Sequence, residues 1–278
     1  AVSDLFDVNR YANSTRLQFL NWALFQNTAW DFAADTRGYS NGIAVAWIHP
    51  RWTIRAGSFQ MPRQANGNVF DSDLRRAHGD QIELTLLAPG TQTVARILGY
   101  LNHARMGNYA EALLIGRSAG QPPDIAADDR PGRRKYGYGL NLEQPLTDGG
   151  ETGIFARLGW NDGTNESFAF TEVDRHASAG IQVSGAHWRR KDDRVGLAGS
   201  ETGIVQVHRD YLGAGGLGFL LGDGKLKYGP EELVETYYRA QVGRALQLSP
   251  DVQLIRNPGY NRDRGPALVG SLRLNLRY

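Results

Sequence analysis

The chain of 278 residues contains no cysteine, which excludes disulfide bonds and thiolate-ligated metal sites. No stretch approaches the roughly 18 consecutive apolar residues of a membrane-spanning helix, and the opening AVSDLFDVNR lacks the basic and apolar regions of a signal peptide. A dominant charge is also missing, because 31 basic and 29 acidic residues are mixed along the chain. Nucleic-acid-binding proteins cluster their basic residues instead. The mean hydropathy of −0.43 is low, but membrane barrels dilute their apolar residues in the same way, with polar residues at alternate strand positions.

What the chain has is alternation of apolar and polar residues. In the closing SLRLNLRY, leucines and a final tyrosine alternate with serine, asparagine and two arginines. The same period of two, which is typical of half-exposed antiparallel strands, recurs in about eleven segments. The others are GIAVAWIH, WTIRAGSF, QIELTLL, VARILGYLN, KYGYGLNLE, IFARLGWN, ASAGIQVSG, RVGLAG, VETYYRAQV and DVQLI.

Two features favour a membrane barrel over a soluble β-sandwich, which also alternates. The polar faces carry arginine or lysine in mid-strand, and the apolar faces end in tryptophan or tyrosine, as in the aromatic girdles of outer-membrane barrels. We therefore predict an all-β fold, a transmembrane antiparallel β-barrel of the outer-membrane porin type with inward-folded extracellular loops. The lipid face is predicted to carry Ile82, Leu84, Leu140, Leu158, Ile181, Leu272 and Leu274.

The connections between these strands are unequal in length, as in such barrels. Short turns are predicted at 49–51, 88–92, 146–151 and 246–251, and long loops at 103–133 and 199–230. Residues 10–36 do not alternate cleanly. They are predicted to form a long loop with a short helix, Arg16–Phe25, that folds into or over the channel.

Several blocks resemble the carbohydrate-selective porins of the OprB family. They are FDVNRYANSTRLQFLNWALFQNTAWDFAADTRGYSNGIAVAW, WTIRAGSFQMPRQANG, LGYLNHARMGNY, HRDYLGAGGLGFLLGDGKLKYGPEELVETYYRAQV and LSPDVQLIRNPGYNRDRGP. The resemblance covers nearly the whole chain. It implies a sixteen-stranded outer-membrane barrel of which residues 1–278 are one domain lacking the first few strands, as a fragment or as a shortened relative. The odd count of eleven agrees with this, or with a further strand in the first 38 residues. It also implies facilitated diffusion of monosaccharides or small sugars, residence in the outer membrane of a Gram-negative bacterium, and recognition of Tyr278 by the barrel-assembly machinery. A homo-oligomer is compatible with this, and no nucleic acid partner is expected.

The polar faces supply a chemical reason for sugar passage. Arginine offers five fixed donors and glutamate offers only acceptors, so a mixture of both exchanges hydrogen bonds with sugar hydroxyls without a strong net field. Binding must stay weak enough for release. The predicted substrate-binding set, expected to form part of the constriction, is Arg55, Glu83, Arg96, Asn102, Arg157, Glu235, Tyr237, Arg239 and Arg273.

Two other functions compete with this prediction. Arginines in the lumen also suit a channel that prefers anions or acidic sugars, although Glu83, Glu143 and Glu235 moderate their field. An outer-membrane enzyme is disfavoured, because the six histidines lie mostly near loops or strand ends and none belongs to a recognisable nucleophile motif. No catalytic residue, metal site or cofactor is predicted.

Overall fold

A computed structural model describes residues 1–276; Tyr278 and its predicted role lie outside the described residues. The described chain forms a single sheet of eleven antiparallel strands whose order in space is their order in sequence. The strands are β1 (Gly42–His49), β2 (Trp52–Gln60), β3 (His78–Leu87), β4 (Val94–Met106), β5 (Arg130–Thr147), β6 (Thr152–Asn161), β7 (Arg175–Ser184), β8 (Arg194–Gly203), β9 (Glu231–Val242), β10 (Leu246–Arg256) and β11 (Ala267–Leu276). The described helices are α1 (Trp22–Phe25), α2 (Tyr109–Ala119) and α3 (Gln206–Gly213), together with short 3-10 turns. All eleven predicted strands are confirmed.

The two faces of the sheet differ in the way that the alternation predicts. Ile82, Leu140, Leu158, Leu272 and Leu274 lie on the outer face and are exposed, whereas Leu84 and Ile181, on the same face, are half-buried. The inner-face residues of the central strands are buried and mostly polar. An apolar outer face and a polar inner face are the reverse of a water-soluble domain and suit a wall with lipid outside.

Aromatic rings lie on the outer face near both ends of the strands. Trp47 and Trp52 pack edge to face at 5.3 Å between ring centroids beside the turn between β1 and β2. At the opposite end, Tyr138 stacks on Trp160 at 5.1 Å, with Tyr136 next to them. This is the placement of the two aromatic girdles of a membrane barrel.

The connections alternate in length around the sheet. Those at 50–51, 88–93, 148–151, 185–193 and 243–245 form the short-turn end of the wall, and those at 61–77, 107–129, 162–174, 204–230 and 257–266 form the long-loop end. The predicted turn at 246–251 is wrong, because these residues begin β10 and pair with β11. Ser249, Pro250 and Asp251 are typical turn residues, but Ser249 and Asp251 point to the polar inner face, where the alternation continues.

Residues 1–36, called here the inner segment, lie against the inner face of the wall. Five of its large apolar side chains are at most 1% exposed and pack on inner-face side chains of strands β2, β4, β6 and β9: Phe6, Tyr11, Phe19, Leu24 and Trp30. The predicted inward fold is confirmed, although the helix within it is shorter than predicted, α1 instead of Arg16–Phe25.

The sheet is open in the described chain, with β1 and β11 as its two edges. Among the described residues, no helix is both long and apolar enough to cross a membrane.

Candidate functional site

Asp7 is the centre of the contact between the inner segment and the wall. Its backbone is in the left-handed region, with φ of 55°. Its carboxylate lies 3.0 Å from Nε of Arg157 and accepts a hydrogen bond of 2.7 Å from the amide of Asn141. The buried guanidinium of Arg157 also donates to the carbonyls of Leu24 and Ala12, at 2.9 and 2.8 Å. One wall arginine therefore ties together three separate parts of the inner segment.

Two ion pairs on neighbouring strands hold the start of the inner segment. Arg55 lies 3.7 Å from Glu83, and Arg96 lies 3.2 Å from Glu143. Both carboxylates accept a backbone N–H of the inner segment at 2.7 Å, and Arg55 also donates to the carbonyl of Leu5. These charges neutralise one another while they bind backbone.

A second group on β9 and β11 holds the part of the segment that leads into α1. Glu235 accepts two adjacent backbone N–H groups, those of residues 20 and 21, at 2.5 and 2.9 Å. Arg239 and Arg273 donate to backbone carbonyls of the segment, at 3.2 and 2.7 Å. The ring of Tyr237 packs edge to face on Phe19 at 5.0 Å.

Asn102 and Asp31 connect the wall, the inner segment and the loop at 162–174. Asn102 donates to the carbonyl of Asp31. The buried carboxylate of Asp31 accepts the N–H groups of residues 168, 169 and 170 at 2.8, 2.7 and 3.2 Å, and Nζ of the buried Lys135 lies 3.8 Å away. The inner segment therefore fixes the position of this loop, including the ring of Phe170.

Two cavities of about 480 and 460 Å³ open on the inner face near the long-loop end, and Trp22 lines both of them. Its indole is 46% exposed and stacks on Phe170, with 5.6 Å between ring centroids. Each cavity is of the size that small-molecule sites have. Trp22 thus stands where the two cavities meet.

The larger cavity has an aromatic and polar lining. Glu231, Gln253 and Arg264 contribute charged and amide groups, and Arg264 is paired with Asp223 at 2.7 Å. Burial raises the pKa of Glu172 above its usual value. Nearby His208 and two backbone N–H groups, which donate to its carboxylate at 2.7 and 2.6 Å, act in the opposite direction but do not cancel this effect. Donors, acceptors and an indole face are the groups that a sugar needs.

The nine residues predicted to bind the permeant all lie on the inner face, but their side chains contact protein. Eight of them touch the inner segment directly, and Arg96 pairs with Glu143, which in turn accepts a hydrogen bond from that segment. Their contact with a permeant stays a prediction. Arg239 also lines a third cavity, of about 420 Å³, at the short-turn end.

Sequence reasoning missed Trp22, Asp7 and Asp31. Trp22 and Asp31 lie in the stretch 10–36, whose lack of alternation indicates a loop but gives no register to place single side chains, and Asp7 lies just before this stretch. A tryptophan and an aspartate in a segment expected to fold into or over a channel were the available signal.

These features together define a class of protein. Outer-membrane β-barrel porins have an antiparallel wall with an apolar outer face, aromatic rings at both ends and a polar, loop-lined inner face. Residues 1–278 match the carbohydrate-selective porin family OprB. The chain belongs to this family, whose members are porins of the outer membrane and not enzymes.

Two known proteins are similar to the chain. Porin AaxA of Chlamydia caviae is 25% identical over 280 residues, which cover 97% of this chain and 50% of the relative. The structure of OprB from Pseudomonas putida at high pH superposes with a TM-score of 0.66 at 18% identity, covering 84% of this chain and 58% of that one. The chain therefore spans about half the length of these relatives, and the structural likeness shows the shared fold.

Proposed function

We propose that this chain forms part of the wall and the constriction of a porin through which neutral sugars diffuse. The sugars pass through the two cavities that meet at Trp22. The observation that carries the proposal is the placement of this half-exposed indole, stacked on Phe170, between two cavities on the inner face. An indole covers the apolar C–H face of a pyranose, and the surrounding amides and charges exchange hydrogen bonds with its hydroxyls.

The charge arrangement favours a neutral permeant. Arg55, Arg96 and Arg157 are each paired with a carboxylate, and Arg264 at the cavity is paired too. Paired charges leave little net field to concentrate anions, whereas short-range hydrogen bonding to hydroxyls is unaffected. A preference for anions or acidic sugars is the second candidate, and the arginines of the inner face are its only support.

We further propose that the nine inner-face residues act mainly by holding the inner segment in place and so determine the shape of the constriction indirectly. Arg239 also borders the passage at the short-turn end. The contacts of Arg157 and Glu235 with inner-segment backbone support this role.

We infer that the eleven strands form one domain and are part of a larger closed wall. In lipid every backbone N–H and C=O must be paired, and an open sheet leaves one side of each edge strand unsatisfied. Within the described residues β1 pairs only with β2, and β11 only with β10. Further strands would complete the ring, in the outer membrane of a Gram-negative bacterium.

The test is single-channel conductance of the complete mature protein in planar bilayers, with sugar-induced current block measured for glucose and a disaccharide. Trp22→Ala should weaken the block several-fold and raise the open-channel conductance. Trp52→Ala removes an indole from the outer face and serves as the matched control, with unchanged block.

Equal block by sugar in wild type and Trp22→Ala would contradict the placement of the passage. Block by a sugar acid such as gluconate, stronger than that by glucose and abolished by high salt, would favour the second candidate, because salt screens charge attraction more than hydrogen bonding.

A further inference from the structure

Three potential metal ligands lie together on the outer face of the wall, at its long-loop end. His78 is the first residue of β3, and Asp80 follows two positions later on the same face. His103 on β4 is the direct cross-strand neighbour of His78. Residues directly opposite each other in an antiparallel pair have Cβ atoms about 4.5–5.5 Å apart, so the pairing register itself brings the three side chains together.

The side-chain geometry is compact. Nδ1 of His78 lies 3.0 Å from a carboxylate oxygen of Asp80. The imidazole rings of His78 and His103 stack with 4.6 Å between centroids and 22° between planes. One ligand atom from each of the three residues can be chosen so that all lie within 4.8 Å of one another.

A second observation concerns a ring nitrogen of His103. Its Nδ1 is buried and has no hydrogen-bond partner among the described residues. A buried imidazole nitrogen without a partner loses its hydration without compensation. A bound ion would supply the missing interaction.

We propose that His78, Asp80 and His103 form a binding site for a divalent transition-metal ion of the Zn²⁺ type. Imidazole nitrogen and carboxylate oxygen are ligands that Zn²⁺ takes at about 2.0–2.2 Å, which places the donor atoms of a tetrahedral site roughly 3.4 Å apart. The three ligand atoms lie within 4.8 Å of one another, so that each separation has to shorten by at most about 1.4 Å to reach this spacing, while the backbone is held by two paired strands.

The site lies at the level of the aromatic girdle. His103 is opposite Arg134, and the next inward pair on the same face is Leu101 with Tyr136. The fourth coordination position therefore faces the boundary between lipid and water instead of the hydrocarbon core. Arg134 is exposed, so that its charge is screened by solvent and opposes a cation only weakly.

The experiment is Zn²⁺ titration by calorimetry of the complete protein, purified in detergent without a histidine tag. We expect one saturable site per chain, weakened at least tenfold in His78→Gln and in His103→Gln, since loss of an outer-shell partner alone costs about 10–100-fold. His49→Gln is the matched control, because His49 is exposed on the same wall at the short-turn end, stacked on Trp52 at 5.1 Å. This control should bind as the wild type does.

Two further readings make the outcome decisive. Zn²⁺ should raise the unfolding temperature of the wild type and of His49→Gln but not of Asp80→Asn, because an ion that binds only the folded state stabilises it. One equivalent of Cu²⁺ should show two equatorial nitrogens by electron paramagnetic resonance. No saturable binding in the wild type, or equal binding in folded His78→Gln and His103→Gln, would overturn the proposal.

Discussion

Arg157 is a charged residue in mid-strand that is buried and holds other parts of the chain in place. Arg157 is 1% exposed, and its guanidinium pairs with Asp7 and donates to several carbonyls of the inner segment. Burying such a cation is unfavourable unless its partners are in place, so that removal of either partner leaves an uncompensated charge.

The first prediction concerns this pair. Arg157→Met should lower the free energy of unfolding by about 3–5 kcal/mol, because Asp7 is left buried without its cation. The double variant Arg157→Met/Asp7→Ala should lose less than the sum of the single variants, with a coupling of roughly 0.5–3 kcal/mol. Urea titration of the refolded protein measures both, and the exposed Arg16→Met is the control. Strict additivity would show that the pair contributes nothing.

The second prediction concerns Glu166 in the loop at 162–174. Burial raises its pKa from 4.5 to about 8, even though the backbone N–H of Gly107 donates to it at 3.2 Å. Between pH 4.5 and 8 the folded state therefore holds a proton that the unfolded state has already lost. The free energy of unfolding consequently falls as the pH rises through this window. Glu166→Gln keeps the acceptor and removes the titration. Its unfolding temperature should exceed that of the wild type at pH 8 and match it near pH 4; parallel curves from pH 4 to pH 8 would contradict this.

At the scale of the element, the strands were predictable because a period of two depends only on neighbouring residues. β6 is an example: Leu158 is exposed on the outer face, and Phe155 and Arg157 are buried on the inner one, as their alternation indicates. The start of β10 was missed because Pro250 and its polar neighbours have turn-like composition, and only pairing with β11 reveals them as strand. Composition cannot distinguish polar residues that face a lumen from polar residues in a turn.

The third prediction tests which side of β6 faces lipid. Leu158→Arg should cost about 2–4 kcal/mol in bilayers if the site is near the midplane. Leu74→Arg is the matched control, because Leu74 is exposed to a similar degree, 61% against 54%, but lies in the loop at 61–77. The control should change little. Equal small costs, measured by reversible unfolding in liposomes, would show that the outer face of β6 does not meet hydrocarbon.

For the whole molecule, the inner segment covers the inner face of the wall, which is the basis of the proposal that it narrows the pore. Its place against the inner face depends on contacts that join residues more than 100 positions apart, such as Asp7 with Arg157 and Leu20 with Glu235. Local patterns carry no information about such pairs. The sequence therefore predicted that a segment enters the channel and that the inner face is charged, but not that these charges hold the segment, nor that Trp22 stands between the cavities.

The measurement that tests the central claim most directly uses the absence of cysteine in the chain. In the complete protein, with any cysteine outside residues 1–278 replaced by serine, Trp22→Cys introduces a thiol at the junction of the two cavities. A bulky, membrane-impermeant thiol reagent is then added during single-channel recording in a planar bilayer. If the permeation path runs past this position, labelling should sharply lower the conductance and abolish sugar-induced block, whereas Trp52→Cys on the outer face should conduct normally under the same treatment. Complete labelling at position 22, verified by mass spectrometry, with unchanged conductance and sugar block would contradict the account.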